Sequence, residues 1–357
     1  MIDTTAFLKQ MISAPGLSGH EAPVRKLIEN AWRPLTHELN VSRLGSLHGL
    51  RRGAAAQPRP SVLLAAHMDA IGLMVTGLRG EWLRVAAVGG VDGRVLPGQP
   101  VLVHASRGPA GRQDLPAIIA MPVGNLLPPA LKENPIPIEH LWVDTGLSES
   151  ELKALVRVGD LVSFAQPPLE TAGETLAGHT LDNRASIAAL TVCLDLLQTR
   201  DHLWDVWAVA TTQEEVGAWG AATSAFQLQP SLAVAIDVTW ASGPGSSGYK
   251  TFPLGKGPTL AWGPDIHPKL YKAFEDLARR LEIPYVMEPA PTHTGTDAYT
   301  LQIAQEGIPC MVLGLPLRYM HTPVEMVALK DIARIGRLLA EFVAGLDANT
   351  MNTLTWD

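Results

Sequence analysis

Hydrophobic residues come in short runs along this chain, and amphipathic helical patterns separate several of these runs. Such alternation is typical of an α/β sandwich, in which helices cover a sheet. The pattern predicts strands in PSVLLAAHMDA, 206–210, SLAVAIDVT and IPCMVLGLPL, and helices over 183–198, over 267–281 and within DIARIGRLLAEFVAGL. Two further amphipathic helical segments, separated by a Pro-Gly turn, are expected at the N-terminus.

The pattern changes between residues 70 and 168, where short β-like runs are separated by Gly and Pro. This change predicts a small β-barrel-like domain over 70–168, inserted into an α/β domain formed by 1–69 and 169–357. Near the end of the insert, Ser148 is a predicted helix N-cap because Glu151 follows it by three residues.

Composition narrows the classes of function. The chain has 357 residues, enough for two domains, and 28 basic against 35 acidic residues give a net charge of −7. This acidity argues against nucleic acid and anionic membranes as partners. No apolar run reaches the roughly 20 residues that span a bilayer. Both cysteines, Cys193 and Cys310, lie in apolar segments, so we expect a cytoplasmic protein without disulfides.

Polar residues stand where predicted strands end or helices begin. In open α/β sheets, functional sites lie beyond the carboxyl ends of the strands, so these side chains are expected to meet. The residues concerned are His67, Asp69, Asp182, Glu214, Glu215, Asp237 and His321.

Histidine and carboxylate ligands together suit zinc, cobalt or manganese better than magnesium or calcium. Two such ions can lie about 3.5–4 Å apart when one carboxylate bridges them. Neighbouring side chains on an extended chain point to opposite sides, so one of Glu214 and Glu215 could bind an ion while the other acts as a general base. The sequence therefore predicts two divalent cations and an activated water molecule.

Each residue also has an ordinary structural interpretation. A single histidine after a strand is commonly a core or surface residue, and Asp182 could cap its helix. Glu214 and Glu215 could stabilise a helix start, and Asp237 could belong to a turn. The coincidence of five residues able to bind metal at successive strand ends favours the metal site.

The motifs AAHMDAIGLMV, LDNRAS, TTQEEVGAWGA, AIDVT, THTGTDA and RYMHTPVEM, in this order, resemble the M42 family of metallo-aminopeptidases. The resemblance extends to GLSGHEAPVR and to the end of the insert, and it covers nearly the whole chain. It implies a mixed-sheet α/β/α zinc-peptidase-like catalytic domain with an inserted β-barrel-like domain. It also implies two metal ions per subunit, most often zinc, with cobalt or manganese as alternatives.

The resemblance assigns roles to the candidate ligands. Asp182 would bridge the ions, His67 and Asp237 would complete one site, and Glu215 and His321 the other.

Further roles carried over by the resemblance concern catalysis and substrate. Glu214 would be the general base, and Asp69 would orient the imidazole of His67. The peptide bond between Asp182 and Asn183 would be cis. Substrate-binding candidates, which could equally be ordinary loop residues, are His293, Gly295, Thr296 and Asp297.

The resemblance also implies peptide substrates and self-assembly, with dimers formed through the inserted domain and, in many members, tetrahedral dodecamers. One departure is Ala70, where the family pattern has glutamate. Four alternatives remain open at this point: a two-metal carboxypeptidase, an N-deacylase, a glycosidase and a non-catalytic scaffold. A glycosidase would need two carboxylates but not His67 and His321.

Overall fold

The computed structural model describes residues 2–108, 111–127, 129 and 135–356. Within these ranges nine α-helices form, numbered in chain order as α1 (Thr4–Ser13), α2 (Ala22–Trp32), α3 (Glu149–Leu155), α4 (Leu181–Leu196), α5 (Trp219–Leu228), α6 (Pro268–Arg280), α7 (Ala298–Gln302), α8 (Leu329–Ala344) and α9 (Thr350–Thr353). Short 3-10 turns lie at Gly93–Val95, Gly124–Leu126, Ile138–His140 and Leu197–Thr199. The predicted cap of α3 is confirmed, since Ser148 and Glu151 form a capping box.

The same part of the chain contains seventeen strands. They are β1 (Glu38–Val41), β2 (Leu47–Arg51), β3 (Ser61–His67), β4 (Gly72–Arg79), β5 (Trp82–Val88), β6 (Pro100–Gly108), β7 (Gly111–Ala120), β8 (Trp142–Asp144), β9 (Leu161–Phe164), β10 (Leu169–Thr171), β11 (Thr175–Gly178), β12 (Asp205–Thr211), β13 (Leu232–Trp240), β14 (Thr259–Trp262), β15 (Val286–Pro289), β16 (Cys310–Arg318) and β17 (Glu325–Ala328).

A mixed sheet forms the centre of the molecule. Its main path runs β1-β2-β12-β3-β13-β16-β17-β11-β10, and β14 and β15 continue it beside β16. The four middle strands, β12, β3, β13 and β16, are parallel, whereas the strands at both ends of the path pair antiparallel. The parallel strands are buried along nearly their whole length, as strands covered by helices on both faces should be. The expected mixed-sheet α/β/α fold is confirmed.

Six strands, β4 to β9, close into a barrel in the order β4-β5-β8-β7-β6-β9. Apolar side chains at alternate positions, such as Val101, Val103 and Ala105 of β6, fill a core separate from that of the sheet. These strands begin at Gly72 and end at Phe164, inside the range predicted for the insert. The exact domain boundaries and a role in dimerisation stay predictions.

Helix α4 is central to the sheet domain and packs against α8, α1 and the middle strands. The approach of α8 is close: a Cβ added at Gly336 would lie 2.7 Å from the carbonyl oxygen of Ala189. Both cysteines are buried and unpaired, as predicted. No helix in the described part of the chain is long and apolar enough to cross a membrane.

Candidate metal centre

The candidate site lies where the middle parallel strands end. Strands β3 and β13 pair as far as Ala65 and Ala235, and the pairing stops there. The next residues separate, so His67 and Asp237 face each other across the gap, with His67 Nε2 at 3.6 Å from Asp237 Oδ1. The other three predicted ligands reach this gap from the start of α4, from the segment after β12 and from the loop after β16.

One buried group consists of His67, Asp182 and Asp237, each of which offers an atom within 4.8 Å of the others. His67 Nε2 lies 3.1 Å from Oδ1 of Asp182. The imidazole is only 2% exposed, so this group lies deep in the protein.

A second group consists of Asp182, Glu215 and His321 and satisfies the same distance limit. His321 Nε2 lies 3.3 Å from Oδ2 of Asp182 and 3.7 Å from Oε2 of Glu215. The His321 side chain is 31% exposed, so this group is more open than the first. The two oxygens of Asp182 thus face different groups, as the predicted bridging carboxylate requires.

Glu214 belongs to neither group. Its Oε2 lies 3.8 Å from His67 Nε2, and its side chain lines the same cavity of about 440 Å³ as the two groups. Burial, opposed by the charge of His67 and reinforced by that of Asp237, raises the pKa of Glu214 to about 9.

Asp69 is buried behind the two glutamates. Its carboxylate accepts hydrogen bonds from the backbone N–H of Glu214 at 3.0 Å, from that of Glu215 at 3.3 Å and from the Ser18 hydroxyl at 2.6 Å. The Nδ1 atom of His67 lies 3.2 Å from the backbone oxygen of Asp69 and 3.6 Å from its Oδ1. Asp69 therefore contacts His67 as expected, and it also fixes the backbone of both glutamates.

The charges of the site fit divalent cations. Burial raises the pKa of Glu215 well above its usual value, and the neighbouring charge of Asp182 adds to the rise. Burial opposes a charged His67, but the surrounding carboxylates, Glu214 and Asp182 foremost, raise its pKa well above the usual value. Among the described residues, no Lys or Arg forms an ion pair with the ligand carboxylates, whose charged partners are His67 and His321. Imidazole and carboxylate donors that lack a balancing cation are suited to zinc, cobalt or manganese.

Among the described residues, the only buried arginine close to the site is Arg184, and it does not balance the charge of the ligand carboxylates. Arg184 donates to the backbone oxygens of Met11, Ala14, Gly16 and Met68. It therefore ties the end of α1 and the segment after it to Met68, directly after β3.

The backbone beside the ligands is unusual. Thr180, Gln213 and His321 have φ values of 58°, 60° and 63°, a left-handed conformation that costs energy for residues other than glycine. Such residues concentrate at functional sites, where the surroundings enforce them. The peptide bond between Asp182 and Asn183 is cis, as expected.

The substrate-binding candidates are distributed over three positions. Gly295 and Thr296 line the metal-centre cavity, whereas His293 lines an adjoining pocket and packs its ring 5.0 Å from that of Tyr299. Asp297 is buried beneath, where it accepts a hydrogen bond of 2.5 Å from the Thr211 hydroxyl. Burial raises the pKa of Asp297 to about 7.

Sequence reasoning missed two acidic residues that contact the site. Glu325 accepts hydrogen bonds from the backbone of Asp182 and His321. Glu288 lines the cavity and accepts from the hydroxyls of Thr239 and Thr259. The one available indication was the position of Glu325 four residues after His321 in the motif RYMHTPVEM.

An acidic, histidine-containing cluster lies at the carboxyl ends of the parallel strands of a mixed sheet, so this is an α/β protein with a candidate metal-binding site. The family model described as M42 glutamyl aminopeptidase matches residues 45–338, and the chain belongs to this family. It is therefore an aminopeptidase, a hydrolase of a metal-dependent family.

Individual relatives are similar to this chain over nearly its full length. The lysyl aminopeptidase of Pyrococcus furiosus is 33% identical over 95% of this chain and 97% of its own. The solved TET aminopeptidase of Thaumarchaeota archaeon SCGC AB-539-E09 is 29% identical, with a TM-score of 0.90 and coverage of 99% of both chains. The solved dodecamer PhTET1-12s is 28% identical, with a TM-score of 0.81 over 97% of this chain and 100% of that one.

Proposed function

We propose that this chain removes N-terminal residues from peptides with a dinuclear metal centre. The observation that carries the proposal is the placement of Asp182, whose two carboxylate oxygens face two separate histidine-containing groups. Family membership supports the reaction type, and the geometry supports two metal positions.

The proposed ligands of the first ion are His67, Asp182 and Asp237, and those of the second are Asp182, Glu215 and His321. Zinc is the proposed metal, with cobalt and manganese as alternatives, because the donor set contains both imidazole and carboxylate. Bound there, the ions would polarise the scissile carbonyl group and make a water molecule more acidic.

Glu214 is the proposed general base. It lines the cavity without belonging to either ligand group, and Asp69 fixes its backbone N–H. Cations bound beside it would favour its ionised form despite the raised pKa, and the carboxylate would then take a proton from the attacking water molecule and later give it to the leaving amine.

The cavity also supplies the proposed binding site for the N-terminal residue of the peptide. Gly295, Thr296, Trp240 and Met320 line it together with the ligand groups. His293 in the adjoining pocket and Asp297 below the cavity are the more distant candidates.

Self-assembly is part of the proposal. A dimer through the inserted barrel, and a dodecamer like that of PhTET1-12s, are the expected states. Native mass spectrometry would test both, and a monomer at working concentration would contradict them. The cytoplasmic location stays a prediction.

The test of the proposed activity starts from protein stripped with a chelator. Aminoacyl p-nitroanilides and their N-acetylated counterparts are assayed without metal and after addition of zinc, cobalt or manganese. We expect metal to restore cleavage of the free-amine substrates alone. Release of acetate from the N-acetylated series would favour the N-deacylase, and two tightly bound metal ions without any cleavage would favour the scaffold. Protein that binds no metal would overturn the assignment of the centre.

A further inference from the structure

We propose that Glu325 is a positioning residue that sets the geometry of the second metal position by holding the backbones of two ligands at once. The inference rests on the proposed dinuclear function. Glu325 begins β17 and is 1% exposed, so its carboxylate is enclosed by protein.

The carboxylate spans two elements. Its Oε2 accepts a hydrogen bond of 3.0 Å from the backbone N–H of Asp182, at the start of α4. Its Oε1 accepts one of 2.9 Å from the backbone N–H of His321, in the loop after β16. The bridging ligand and the more exposed histidine are therefore linked through one side chain.

Glu325 itself is not placed to bind an ion. Both of its oxygens are engaged by backbone N–H groups, and it belongs to neither metal-binding group. It does not line the cavity that holds Glu214 and the ligands. Its effect on the site is therefore transmitted through Asp182 and His321.

A carboxylate is required for this arrangement. It presents two acceptor oxygens and no donor, whereas an amide presents one oxygen and one NH2 group. Glutamine at this position would turn its NH2 group toward one of the two backbone N–H groups and leave that N–H unpaired. The more sensitive of the two is His321, because its left-handed backbone, with φ of 63°, needs support from its surroundings.

The first metal position depends on Glu325 only through the shared ligand Asp182. His67 ends β3, and Asp237 lies within β13, so both are held by strand pairing in the middle of the sheet. A change at Glu325 should therefore weaken metal binding at the second position more than at the first.

Asp331 provides a matched control. It is fully buried, and its two oxygens accept hydrogen bonds from the backbone N–H groups of Gly255, at 2.7 Å, and Gly257, at 2.8 Å. It also pairs with Arg334. Asp331→Asn thus disturbs a similar buried carboxylate that holds no predicted ligand.

The experiment compares the wild-type chain with Glu325→Gln, Glu325→Asp and Asp331→Asn. Metal content is measured after equilibration with zinc and a competing chelator, the absorption spectrum is measured after cobalt loading, and Tm is measured alongside. For Glu325→Gln we expect one tightly bound equivalent and a second bound about 10- to 100-fold more weakly, the range seen when partners of metal ligands are removed. The cobalt spectrum should lose the contribution of the second ion.

Asp331→Asn should lower Tm but keep both equivalents and the wild-type cobalt spectrum. Glu325→Asp keeps two acceptors on a shorter side chain, so it should bind the second ion with intermediate affinity. It replaces Glu325→Gln as the test variant if Glu325→Gln does not fold.

Two results would overturn the inference in distinguishable ways. If the wild-type chain binds two equivalents and the Glu325 variants bind both with unchanged affinity and spectrum, only the role of Glu325 is wrong. If the wild-type chain itself binds fewer than two, the dinuclear proposal fails, and the inference fails with it.

Discussion

The described part of this chain contains two clusters in which histidine contacts carboxylate. One lies at the carboxyl ends of the middle strands of the sheet, and the other lies on the barrel. The barrel cluster consists of His104, Arg112, Asp114 and Ser163. His104 Nδ1 lies 2.6 Å from Asp114 Oδ1, and its Nε2 lies 2.9 Å from the Ser163 hydroxyl. These residue types are those of a serine hydrolase triad.

The clusters differ in how their charges are balanced. In the barrel cluster, Arg112 Nη2 lies 2.6 Å from His104 Nδ1, and Arg112 Nε lies 3.3 Å from Asp114, whose charge it balances. Ser163 is buried, and both ring nitrogens of His104 have partners. At the candidate metal centre, several buried carboxylates have no charged partner among the described residues other than His67 and His321. Unbalanced charge, rather than residue type, thus distinguishes the candidate functional cluster.

The largest expected effect comes from removing the bridging charge. Asp182→Asn takes one negative charge from both metal positions, so we expect loss of both ions and of aminopeptidase activity. The measurement is metal content by mass spectrometry together with p-nitroanilide hydrolysis. Asp114→Asn makes the same chemical change in the barrel cluster and should leave metal content and kcat unaltered. Retention of two ions by Asp182→Asn would contradict the bridging role.

Glu214→Gln should separate metal binding from proton transfer. Glu214 lies in neither ligand group, so both ions should stay bound, while loss of the general base should lower kcat by about 10²- to 10⁴-fold. Steady-state kinetics and metal content on the same preparation provide the check. Near-wild-type kcat would show that another group takes the proton.

The third prediction concerns the barrel cluster. His104→Gln breaks hydrogen bonds to Asp114 and Ser163, so the free energy of unfolding should fall by about 1–3 kcal/mol, the usual cost of leaving buried polar groups unpaired. The value of kcat/KM should not change. Urea unfolding and p-nitroanilide kinetics test the two statements separately. A loss of activity at unchanged stability would mean that the barrel cluster takes part in hydrolysis.

Much of the fold follows from local patterns. The runs that became β3, β13 and β16 are nearly continuous apolar segments because parallel middle strands are buried on both faces. The barrel strands were indicated by short runs between Gly and Pro. The strand order could not be predicted from the sequence. Pairs such as β11 with β17 join four-residue strands that are distant in the chain.

The site residues were indicated by their position at strand ends and by a family resemblance. Of the residues that hold them, Asp69 was predicted only as a partner of His67, and Glu325 was not predicted. Glu325 and Asp69 act by accepting hydrogen bonds from backbone N–H groups, and every acidic residue has that capacity. Which carboxylate meets which N–H is decided by tertiary packing, so single-sequence patterns indicate candidate ligands more readily than the residues that support them.

The smallest predicted effect is on the pH dependence of stability, and it concerns the barrel cluster. Burial, opposed by Asp114 and reinforced by the charge of Arg112, lowers the pKa of His104 below its usual 6.5, and the more distant Asp160 opposes the shift. The unfolded chain therefore takes up a proton at His104 at a higher pH than the folded chain does. The contribution of His104 to stability is fully present above pH 6.5 and is lost progressively as the pH falls below that value.

In His104→Gln this titration is absent, so its free energy of unfolding should decline less steeply than that of the wild-type chain over the same acidic range. Urea unfolding at a series of pH values from neutral downward, with both proteins stripped of metal, provides the measurement. Metal must be absent because acid would also protonate the ligands of the metal centre. Equal slopes in the two proteins would show that the folded His104 takes up its proton at the usual pKa, and hence that Asp114 offsets the burial of the ring.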